Sequence, residues 1–130
     1  MSEIVEGRQT EIADELAEVA QSLAHSTRTV PRPSDSYELL GALQVAQQSL
    51  ARVYTQLATW HRDAVDGTHC NGTDGHSLYG VPATAAGASE QVTLLLKIAA
   101  ASAAETADLV GKAQAANGVV CWFDEVKETA

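Results

Sequence analysis

Apolar residues recur every seven positions through the middle of this chain. Leu43, Leu50, Leu57 and Ala64 form one register, and Leu39, Ala46, Val53 and Trp60 form the neighbouring one. A strand repeats its faces every two residues and cannot sustain a seven-residue period, whereas an α-helix lying against another helix does so naturally. The pattern predicts a helix over about residues 35–65 with an apolar seam for a second helix to pack along. The opposite face is rich in glutamine (Gln44, Gln47, Gln48, Gln56), polar but nearly uncharged.

Two further runs carry helical spacing. Val5, Ile12, Leu16, Val19 and Leu23 predict an amphipathic helix over about residues 3–27. The stretch "TVPRPSD" ends it, because the residue before a proline disfavours the helical region and Pro31 and Pro33 leave no room to continue. Ser34 or Asp35 is then placed to cap the next helix, with Glu38 completing a capping box. Val92, Leu95, Leu96, Ala99, Ala103, Thr106, Leu109, Val110 and Ala113 predict a third helix over about residues 83–116. Its stripe is small near the middle, which lets helix axes approach closely. Asn117-Gly118 is a stop signal.

The expected fold is therefore all-α, an antiparallel up-down-up bundle of three long helices forming one domain over residues 1–130. A long loop joins the second and third helices, and a short apolar segment, "VVCWFDEV", lies in the tail at 118–130. That segment reads as a strand or an irregular plug, and "SLYGV" is the one other run suited to pair with it. Three slender helices with alanine-rich seams leave apolar surface over, so a homodimer is expected.

The chain carries a net charge of −9. That charge opposes direct binding to nucleic acid or to an anionic membrane, since both need a basic surface. It holds no apolar run long enough to span a bilayer, and "MSEIVEGRQTEIADE" is acidic where a secretory leader would be basic and then apolar, so a cytoplasmic protein is expected. Acids crowd the first helix: Glu11 and Glu15, and Asp14 and Glu18, are like-charge pairs four residues apart. They read either as a solvated face near a helix N-terminus or as a docking surface for a basic partner protein. Val120, Trp122 and Phe123 form a second candidate contact, because aromatic residues are favoured at interface centres.

The loop "WHRDAVDGTHCNGTDGHS" gathers His61, His69, Cys70 and His76, all ligand types for zinc. Their spacing contains no CxxC or HxxxH pair, and His69 and Cys70 are adjacent, so their side chains diverge in an extended backbone. Glycine, asparagine, aspartate and threonine dominate the loop, as in ordinary turns. With only Cys70 and Cys121 in the chain, reduced thiols are expected.

Glu15-x-x-Glu18 and Glu105-x-x-Asp108 together resemble the magnesium-binding signature of the all-α nucleoside triphosphate pyrophosphatases. In that family two facing, consecutive helices hold the metal that activates water against a triphosphate; here a whole helix separates the two motifs. The resemblance implies clustered carboxylates as hard oxygen ligands for magnesium. Two functions thus stand as expectations. The first is a non-enzymatic acidic helical protein, without a cofactor, that self-associates and binds or inhibits a partner. The second is a small metal-dependent hydrolase or metal-binding protein using the helix carboxylates or the histidine loop, with magnesium or zinc.

Overall fold

The computed structural model describes residues 7–64, 77–78, 81–82 and 85–125. They form three α-helices: α1 (Gln9–Ser26), α2 (Ser36–Asp63) and α3 (Ala85–Asn117). The chain is all-α. Two-residue strands Ser77–Leu78 and Val81–Pro82 pair antiparallel, Ser77 with Pro82 and Leu78 with Val81. "SLYGV" therefore closes on itself, and residues 119–125 of the tail contain no strand.

Two compact units divide the chain, residues 1–36 with 121–130, and residues 37–120. In the first unit, α1 begins at Gln9 after a turn at Gly7 and Arg8, and residues 3–6 of the expected helix lie outside the described residues. Glycine costs about 1 kcal/mol relative to alanine inside a helix, so a turn at Gly7 is cheap. Arg8 holds the first turns electrostatically, with Nε on Glu11 at 2.9 Å and a terminal guanidinium nitrogen on Glu15 at 3.0 Å. At the other end, the Thr27 amide and hydroxyl donate to the Leu23 carbonyl at 2.8 and 2.9 Å, occupying one of the carbonyls a helix end leaves open.

After the turn, Pro33–Asp35 forms a 3-10 segment with proline in its first turn. The Ser34 amide donates to Asp124 Oδ1 at 3.1 Å, so a tail carboxylate anchors this segment. Hydrogen bonding from Ser34, its side chain first and its amide second, holds the Asp124 carboxyl below its usual range, with Arg32 adding to the effect.

In the second unit α2 and α3 run antiparallel. Gln114 Nε2 donates to the Tyr37 carbonyl at 3.1 Å near one end, and Ser89 Oγ donates to the His61 carbonyl at 2.7 Å near the other. Between those points the buried residues are small: Ala58 on α2, and Thr93, Ala103 and Ala107 on α3. Of the expected seam on α2, Leu39, Leu43, Ala46 and Leu50 are half-buried, while toward the C-terminal end Val53, Leu57 and Trp60 are exposed and the buried place passes to Ala58, one residue on from Leu57 and 1% exposed.

Close approach of the axes explains the shift. Leucine on the contact line would hold the helices apart, whereas alanine and glycine bring the backbones together and bury them. Gln44 lies over Gly111 and Gln114 lies over Gly41, so that a Cβ added at either glycine would run into the opposing amide. The glutamine face expected to point away from the seam supplies part of the contact itself.

α3 ends where Asn117-Gly118 predicts, with the Gly118 amide donating to the Gln114 carbonyl at 3.0 Å. No helix among the described residues is long and apolar enough to cross a membrane.

Candidate functional site

Of the four loop ligands, His69, Cys70 and His76 lie outside the described residues. His61 is half-buried in the last turn of α2, its ring edge-to-face with Trp60 at a centroid distance of 4.9 Å and 87°. Its carbonyl receives Ser89 Oγ, and the Ala64 amide approaches it at 3.3 Å. Among the described residues, no three His, Cys, Asp or Glu side chains converge on a point that could hold a metal ion.

The two carboxylate motifs fall in different compact units, Glu15 and Glu18 in the first, Glu105 and Asp108 in the second. Each has one member already paired with a nearby cation in the same unit. Glu15 meets Arg8, and Asp108 meets Lys112 Nζ at 3.0 Å. All four side chains are exposed, where a hard cation would compete with water for its ligands.

The acidic face of α1 is solvent-facing throughout. Glu11, Asp14, Glu15 and Glu18 are exposed, and so are Ile12, Leu16 and Val19 on the apolar stripe beside them. Glutamates drawn onto Arg8 raise its already high pKa, the Glu11 hydrogen bond first and the Glu15 charge second. Among the described residues no cation pairs with Asp14 or Glu18. In the tail Val120, Trp122 and Phe123 are exposed, beside an exposed free thiol at Cys121.

Sequence reasoning missed a second apolar surface. On α3, Leu94, Leu95, Ile98 and Leu109 are each more than half exposed, on the side turned away from the buried Thr93, Ala103 and Ala107. The helical period of the whole run merged two stripes into one. Separating large residues from small ones resolves them, since only the small set meets α2. Gly41-x-x-Gln44 and Gly111-x-x-Gln114 were also legible as a motif repeated in both helices. Antiparallel pairing sets each glutamine on the other helix's glycine.

Among the described residues each unit offers surfaces: in the first an acidic helix with an open apolar stripe and an aromatic tail, in the second a closely packed helical hairpin with apolar residues on its outer face. No family model, curated protein or solved structure matches this chain.

Proposed function

We propose that this chain is a non-enzymatic interaction module, an acidic helical protein that self-associates and binds or inhibits a basic partner protein. One observation carries the reading. The side chains buried among the described residues are alanines and a threonine, while Leu16, Val19, Leu57, Trp60, Leu95, Ile98 and Leu109 face solvent. Exposed apolar patches of this kind, bordered by charge, mark protein contact surfaces. Helix α1 supplies the charge for recognition through Glu11, Asp14, Glu15 and Glu18, and Val120, Trp122 and Phe123 supply aromatic anchors. The net charge of −9 directs such a surface toward a basic protein and away from nucleic acid. The exposed free thiol of Cys121 fits the reducing cytoplasm, where we place the protein.

Fluorescence anisotropy with a synthetic basic amphipathic helix, in the presence of chelator, tests this reading. The wild-type chain is expected to bind it, and Glu11→Lys/Glu15→Lys/Glu18→Lys is expected to abolish binding. Equal affinity for a charge-neutral version of the peptide would overturn the basic-partner reading. Stoichiometric uptake of zinc or magnesium, with loss of affinity on substituting His61 or Glu105, would favour the metal-dependent alternative.

A further inference from the structure

We infer that the outer face of α3 is the self-association surface, and that a second copy of this chain covers it in antiparallel orientation about a two-fold axis passing close to Ala101 and Ser102. The inference rests on the interaction-module reading and specifies which surface joins the copies.

Leu94, Leu95, Ile98 and Leu109 form a stripe on the side of α3 opposite its contact with α2, and they are 54–58% exposed. Together they expose a few hundred Å² of apolar surface, about the size at which a patch marks an interaction site. Leu95 and Leu109 stand seven residues to either side of Ser102, so antiparallel copies set each leucine against the other.

The charges select the same geometry. The charged side chains of α3 are Glu90, Lys97, Glu105, Asp108 and Lys112, all exposed and all on the stripe or along one of its borders. Glu90 and Lys112 lie eleven residues to either side of Ala101, and Lys97 and Glu105 lie four to either side. Their signs are opposite within each pair. A second copy running antiparallel therefore brings Lys112 to Glu90 and Lys97 to Glu105, with Asp108 next to it, twice over. A parallel copy would set this charged border against the opposite border of its partner, which carries no charged side chain to meet it. The Asp108–Lys112 pair within the helix is well solvated, at 66% and 73% side-chain exposure, and Lys112 is free to be shared.

The border charges of the full-length chain provide the test, read by sedimentation velocity at low salt with helicity checked by circular dichroism. The wild type is expected to dimerise. Lys97→Glu/Lys112→Glu and Glu90→Lys/Glu105→Lys are each expected to weaken the dimer about tenfold or more, by setting like charges across the axis. An equimolar mixture of the two variants is expected to recover a one-to-one dimer, because opposite signs then meet again. These exposed positions keep good helix formers, so loss of association is separable from unfolding. A wild-type dimer that neither variant weakens would overturn the α3 geometry while leaving self-association intact. A wild type that stays monomeric at ~100 μM, weaker than specific protein pairs of even modest affinity, would overturn both.

Discussion

Gln44 of α2 lies over Gly111 of α3, and Gln114 of α3 lies over Gly41 of α2, so each helix covers the other's gap with the end of one long polar side chain. Gln114 also donates from Nε2 to the Tyr37 carbonyl at 3.1 Å, which fixes one of the two locks by a hydrogen bond. The hairpin is thereby held in a single register. Sliding one helix by a turn would drive a glutamine into an alanine and leave a glycine bare.

At both glycines a Cβ would run into the amide nitrogen of the opposing glutamine, and at Gly41 that nitrogen, of Gln114, is the one bonded to the Tyr37 carbonyl. Gly111→Ala is expected to destabilise the hairpin despite a helix-propensity gain of about 1 kcal/mol, and Gly41→Ala to do so by displacing the Gln114 hydrogen bond. Urea denaturation of a Gln44→Ala background checks the cause. There Gly111→Ala should stabilise by about 1 kcal/mol, the bare propensity term, and continued destabilisation would show that Gln44 is not the obstacle.

Ser89 closes the other end of the hairpin. His61 lies in the final turn of α2, where carbonyls lack a partner within the helix, and Ser89 Oγ reaches its carbonyl at 2.7 Å. Ser89→Ala is expected to cost about 1 kcal/mol, the usual net value of a part-buried hydrogen bond. Hydrogen exchange should show the loss concentrated in the last turn of α2 and the first turns of α3.

Asp124 links the tail to the 3-10 segment, and its pKa is held below the ordinary 3.8 by hydrogen bonds from Ser34. A group whose folded pKa is depressed contributes stability above its unfolded value and loses it as pH falls through the folded one. The attachment is therefore expected to be complete above pH 3.8 and to release below it. Trp122 emission in a Trp60→Phe background reports the release, and Asp124→Asn should remove the acid transition by keeping an acceptor that cannot titrate.

Arg8 bridges two carboxylates that would otherwise repel each other at four-residue spacing. Arg8→Ala is expected to loosen the first two turns of α1, seen as faster amide exchange from Ile12 to Leu16. The effect should shrink in ~0.5 M salt, where exposed charges are screened. An effect independent of salt would mean that Arg8 acts by packing its aliphatic stem.

The sequence by itself determined the three helices and where two of them stop. Pro31 and Pro33 stop one helix, Asn117-Gly118 stops another, and three periodic runs lie between these signals, because breaks and propensity are local properties of the chain. It also identified the acidic face of α1, since charges at helical spacing share a side wherever the helix is placed. Only the tertiary structure decided which stripe of each helix meets the other. α2 carries two adjacent seven-residue registers, one through Leu43, Leu50 and Leu57, the other through Gln44, Ala51 and Ala58. Periodicity weights them by hydrophobicity and chooses the leucines. Packing weights them by how closely two backbones can approach: Leu43 and Leu50 stay half-buried, but toward the C-terminal end of α2 Ala58 takes the buried place while Leu57 is exposed. The same choice turned Leu95, Ile98 and Leu109 outward on α3, where an apolar surface remains for another chain.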